Sequence, residues 1–260
     1  MFIRNERSIG EFVRFYPVVS ILVIIHIVLY TIIDLLALQI GEQIYAWGIG
    51  FNPLIAEGEY WRIITPMFLH AGFMHMLFNS FALVLFGPAL EQMLGKFKFI
   101  LAYLLVGVAG NIGTFLLDPN RMEPFLSTPH VGASGAIYGL FGIYIYMAVF
   151  RKDLIDPASV QIVMVIFIIG MLMTFLRPGI NISAHVFGFI GGFALGPIIL
   201  TGAQPFSMWR NRRMHKDDSV QFDPNRWYKK QRRKENAKTL IWILLGILVV
   251  FGILGRLNIL

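Results

Sequence analysis

The stretch HVGASGAIYGLFGIYIYMAVF, residues 130–150, is apolar from Val131 to Phe150 and stops at the basic pair Arg151-Lys152. An uncharged run of this length spans the hydrocarbon of a bilayer as one helix, since about 20 residues suffice. Near its start a single serine, Ser134, stands among Gly132, Ala133 and Gly135, and Tyr138 follows four residues later. Two readings compete. Small residues let membrane helices approach closely. The same residues also leave room for a substrate backbone to reach the hydroxyl, as at a nucleophile elbow. The second reading requires a base and oxyanion donors at the same depth in other spans.

Working outward, the 260 residues are 57% hydrophobic and 14% charged, a balance far more apolar than a soluble domain of this length. An all-α polytopic membrane protein is expected. Further apolar runs fall near residues 17–38, 72–94, 98–117, 159–176, 181–201 and 239–255, which makes seven spans with the first. The expected organisation is a six-span unit over residues 1–202, a basic loop over 203–238, and a seventh span with a short tail over 239–260. The absence of cysteine excludes disulfides, cysteine nucleophiles and thiolate metal sites. No metal or cofactor is expected.

The net charge of +7 is accounted for by topology. With the N-terminus in the cytoplasm, eighteen of the 22 lysines and arginines fall on the cytoplasmic side, eleven of them in the loop between the sixth and seventh spans. That loop is expected to meet anionic lipid headgroups, and no nucleic-acid partner is expected. The start has mixed charge and no small-residue cleavage pattern, so an uncleaved first span in a prokaryotic plasma membrane is expected, with the C-terminus outside. Residues 39–62, rich in Trp, Tyr, Phe and Gly, read as a folded loop in the outer interface. Pro178-Gly179 makes the outer turn between the fifth and sixth spans.

Polar groups inside spans are costly and mark functional candidates. The informative ones are His75 and Asn79 in the second span, Ser134 and Tyr138 in the fourth, and His185 in the sixth, all spans entering from outside. Asn79 lies seventeen residues before Lys96, Ser134 seventeen before Arg151, and His185 seventeen before Gly202. At about 1.5 Å per residue each sits roughly 25 Å above the inner boundary, just below the outer surface. Singly, each has an ordinary reading: an interhelical hydrogen bond for either histidine or Asn79, packing for Tyr138, a backbone bond for Ser134. Convergence at one depth favours catalysis.

Serine needs a base to take its proton, and a neutral histidine is the usual one. The expected arrangement is a dyad of Ser134 and His185, because no aspartate lies at matching depth. Tyr138, one turn below Ser134, is placed to pack on the imidazole. The Ser134 backbone N–H and the side chains of His75 and Asn79 are expected to face the developing oxyanion.

With those residues placed, the sequence resembles the rhomboid family of intramembrane serine proteases. The resemblance covers roughly residues 10–202. It rests on Trp61-Arg62, the series His70, His75, Asn79, the GxxxExxxG of Gly87, Glu91 and Gly95, the GASG around Ser134, and Ala184-His185 with Gly188 and Gly192. It implies a six-helix core, here extended by a C-terminal transmembrane helix. The implied activity is cleavage of transmembrane protein substrates near the outer membrane face, with Ser134 as nucleophile, His185 as base, and His75 and Asn79 in the oxyanion hole. It also implies that the fifth span acts as a lateral gate, and that Gly188 and Gly192 bring the sixth helix against the fourth.

Two rivals stand beside this reading. A catalytically inactive rhomboid-like helix-binding protein is disfavoured by retention of both Ser134 and His185. A transporter is disfavoured because no polar groups continue the cluster through the inner halves of the fourth and sixth spans.

Overall fold

The computed structural model describes residues 4, 6–118, 120 and 122–211. The expected seventh span and the loop beyond residue 211 lie outside the described residues. Within them the chain is helical: α1 Ile9–Phe15, α2 Pro17–Tyr30, α3 Gln39–Gly48, α4 Asn52–Ala56, α5 Phe73–Leu94, α6 Lys96–Leu117, α7 Ser134–Phe150, α8 Pro157–Leu176 and α9 Ile182–Ile199. A π-helical turn, Thr31–Leu35, prolongs α2. Five helices are long and apolar enough to cross a membrane, and α7 is a shorter apolar helix. The protein is an all-helical, multi-pass membrane protein.

Close contacts at glycine backbones hold α9 against both α6 and α7. A Cβ on Gly188 would overlap the Gly135 carbonyl, and one on Gly192 would overlap that of Gly139. On the α6 side a Cβ at Gly110 would lie 2.7 Å from the Ala184 carbonyl oxygen. Small residues serve this purpose where lipid supplies no hydrophobic drive between helices. The packing of the sixth span on the fourth through Gly188 and Gly192 is thus observed.

Two devices secure the end of the bundle remote from Ser134. The Glu91 carboxyl, buried on α5, accepts the first backbone donors of α2, from Val18 N at 3.0 Å and Val19 N at 2.9 Å. These are orphan donors at a helix start that begins with Pro17. Pro88, inside α5, has no N–H for the Val84 carbonyl, which instead accepts from Arg4 Nη1 at 2.6 Å. Glu91→Ala strips α2 of its cap and is expected to cost about 2 kcal/mol. A thermal midpoint in detergent unchanged by this substitution would contradict that role for Glu91.

The segment between α2 and α5 is folded, as its composition indicated. Arg62 is buried and donates Nη1 to the carbonyls of Ala46 at 2.8 Å and Ile49 at 2.9 Å. Trp61 stacks on Trp47 with ring centroids 5.5 Å apart. The loop is tied to the approach of α7 in two places. Gly50 and His130 exchange backbone bonds of 3.0 and 2.8 Å, and Gly132 N donates to Pro66 O at 2.8 Å. Ser134 is therefore delivered by a strapped segment.

Candidate active site

Ser134 is the first residue of α7, after Ala133 at the cap position. The first N–H groups of a helix lack intrahelical acceptors, so the Ser134 amide stands at a donor-rich helix end. Gly132, at φ 128°, makes the bend before it. That φ belongs to glycine, and so does the space: a Cβ there would lie 2.7 Å from His75 Nε2 and 3.7 Å from Ser134 Oγ. Gly132 thus leaves the gap between the imidazole of His75 and the serine hydroxyl. Gly135, one residue past Ser134, faces the Ala184 carbonyl oxygen at 3.3 Å from an ideal Cβ.

His185 enters from α9, whose N-cap is Asn181. Asn181 Oδ1 accepts from Ala184 N at 2.9 Å and from Thr114 Oγ1 of α6 at 3.1 Å, anchoring the turn that carries the imidazole. His185 Nε2 lies 2.7 Å from Ser134 Oγ. The Tyr138 ring stacks on the imidazole with centroids 4.1 Å apart and planes at 15°. Three of the expected residues, Ser134, His185 and Tyr138, are in direct contact, from two helices held together by Gly135, Gly188 and Gly192.

His75 and Asn79 share a face of α5. Ala71 N donates to His75 Nδ1 at 3.3 Å, which leaves the ring proton on Nε2, the nitrogen beside Gly132. Asn79 is placed less directly. Its Nδ2 donates to the His75 carbonyl at 2.9 Å, which uses one of its two N–H groups. Among the described residues no hydrogen bond joins Asn79 to Ser134 or His185.

The remaining histidines among the described residues have other surroundings. His70 is buried between the rings of His26 and His75, with centroids 4.6 and 5.2 Å away. Burial, and then those neighbouring imidazoles, push His70 down to about 2, so it stays neutral. His26 Nδ1 lies 3.2 Å from Ser80 Oγ, an interhelical contact. Burial lowers His130 to about 4, the Asp118 carboxylate pulling the other way. It remains a neutral loop residue, with its backbone paired to Gly50.

One partner of the site was not anticipated. Thr174 Oγ1, on α8, lies 2.8 Å from His185 Nδ1. A depth comparison among α5, α7 and α9 does not reach it, because α8 runs opposite to them. A count from its far end finds Thr174 three residues before Arg177, while His185 sits in the first turn of α9. Such a count would have placed both at one depth.

A family model described as Rhomboid domain matches residues 57–202. YdcA of Bacillus subtilis (strain 168), which carries the name of a rhomboid protease, is 44% identical over 198 residues, 75% of this chain and 94% of YdcA. GluP of the same organism, also named a rhomboid protease, is 39% identical over 152 residues, 58% of this chain and 28% of GluP. RHOMBOID-like protein 6, mitochondrial, of Arabidopsis thaliana is 31% identical over 205 residues, covering 78% of this chain and 61% of that protein.

Proposed function

This chain belongs to the rhomboid family of intramembrane serine proteases, and on that premise we propose that it cleaves transmembrane helices with Ser134 as nucleophile and His185 as base. The observation that carries the assignment is the 2.7 Å approach of His185 Nε2 to Ser134 Oγ, with Tyr138 stacked on the imidazole.

In the proposed cycle Ser134 Oγ attacks the scissile carbonyl carbon while Nε2 takes the hydroxyl proton. The tetrahedral oxyanion is met by the Ser134 N–H, by His75 Nε2–H across the gap at Gly132, and by the second N–H of Asn79. His185 then passes its proton to the leaving amine, which departs. Water, deprotonated by the same nitrogen, hydrolyses the acyl-enzyme and restores both side chains.

The substrate must expose a carbonyl that a regular helix keeps bonded to its own backbone. Helix-weakening residues beyond the scissile bond meet that need, and the family resemblance further implies a small residue before it. We place cleavage near the outer membrane face, with the N-terminus in the cytoplasm of a bacterial cell. The eleven lysines and arginines between Arg210 and Lys238 supply charge that attracts anionic lipid headgroups, which we take as their partner in place of nucleic acid.

Asn79 provides a separate check on the oxyanion assignment. Asn79→Ala is expected to lower kcat for a model transmembrane substrate by about 10²-fold with little change in KM. Because Asn79 also bonds to the His75 carbonyl, the circular-dichroism melt must be followed in parallel. Loss of folding in step with activity would assign Asn79 to structure instead.

A further inference from the structure

The helix α8 is lightly covered. Only 17% of its most apolar stretch is buried, against 44% for α6. Its buried residues are Ser159, Val163 and Thr174, and Ser159 belongs to the Asp156 cap, where its hydroxyl bonds to Asp156 Oδ2 at 2.7 Å. Thr174 is thus the one hydroxyl that α8 carries into the region of the site, at 1% exposure.

Its oxygen lies at hydrogen-bond distance from three groups: the Gly170 carbonyl at 2.9 Å, Tyr138 Oη at 3.0 Å and His185 Nδ1 at 2.8 Å. A threonine hydroxyl has one proton and two lone pairs. The Gly170 carbonyl can only accept, so satisfying that contact commits the Thr174 proton to it. Both lone pairs are then left for Tyr138 and His185, each of which must donate. Only this assignment satisfies all three contacts. It puts the ring proton of His185 on Nδ1 and leaves a lone pair on Nε2, the nitrogen that faces Ser134.

We propose that Thr174 is a positioning residue that holds His185 in the tautomer able to accept the Ser134 proton. The proposal rests on the roles of Ser134 and His185 given above. When Nε2 takes the proton the ring becomes a cation, and its bond from Nδ1–H to Thr174 becomes charge-assisted and stronger. The hydroxyl therefore gains most as the tetrahedral intermediate forms. It is a neutral acceptor, so its contribution is smaller than that of a carboxylate in the same place. Because α8 carries Thr174, the base is held in register only while α8 is docked against α7 and α9.

The test uses the full chain in detergent with a model transmembrane substrate and two near-isosteric variants. Thr174→Val removes the acceptor and is expected to lower kcat about tenfold, with KM within about twofold of the wild type. Thr174→Ser keeps the hydroxyl and is expected to restore kcat. Ring nitrogen-15 spectra of histidine-labelled wild-type protein, with His185 assigned by its loss in His185→Gln, are expected to show the proton on Nδ1. Wild-type kcat in Thr174→Val, a change confined to KM, or an Nε2–H tautomer in the wild type would each overturn the proposal. If Thr174→Val does not fold, Thr174→Ser and the wild-type spectrum decide. Cleavage that survives in both Ser134→Ala and His185→Ala would instead remove the catalytic reading beneath it.

Discussion

Ser134→Ala and His185→Ala are each expected to lower cleavage of a model transmembrane substrate by at least about a thousandfold, while the protein keeps its thermal midpoint. Among the described residues Ser134 Oγ has one hydrogen-bond partner, His185 Nε2, so its removal leaves the α7–α9 backbone contacts untouched. The double variant is expected to be no worse than either single variant, because the two side chains act as one unit. A mechanism-based serine-hydrolase probe should label the wild type and neither variant. Wild-type cleavage by Ser134→Ala would dismiss this serine as the nucleophile.

Gly192→Ala is expected to have the second largest effect, although Gly192 lies two turns from His185. A Cβ at this position runs into the carbonyl of Gly139, which is backbone and cannot swing aside as a side chain would. The two helices must separate, at a cost of about 1–3 kcal/mol or more. Since α9 carries His185 and α7 carries Ser134, separation also opens the 2.7 Å contact between them. A misplacement of about 1 Å is enough to lose on the order of 10²-fold in rate. Gly10→Ala is the control: a Cβ there meets nothing closer than Ser8 Oγ at 3.8 Å. Its melt and cleavage rate should match the wild type, and equal behaviour of the two variants would refute the close-packing role of Gly192.

Much of the site was legible because the membrane makes depth countable. Helices of 1.5 Å rise across a slab of about 30 Å convert residue number into height, and each polar residue inside the slab is conspicuous. Ser134 and His185 are both seventeen residues from the far boundary of their spans, and they meet in the structure. The stacking of Tyr138 on the imidazole was legible for the same reason, since a residue four positions on returns to the same face. Glu91 stands in the sequence only as the acidic member of the GxxxExxxG pattern. What it accepts, two backbone amides of α2, could not be read from one helix, because the donors lie more than 70 positions away in the chain.

The sequence by itself determined the class of protein, the positions of the spans within the described residues, the small residues along α7 and α9, and the common depth of Ser134 and His185. These follow from composition, from periodicity and from the cost of placing polar groups in lipid, all of which are local along the chain. Tertiary structure decided which of the possible contacts are made. It showed that Asn79 turns one N–H back to the His75 carbonyl, that Gly132 clears the space between His75 and Ser134, and that Nδ1 of His185 faces a threonine. Depth gives height along the membrane normal but not azimuth about each helix axis. Azimuth is set by how the glycine surfaces of α6, α7 and α9 interlock, and only the packed bundle resolves that.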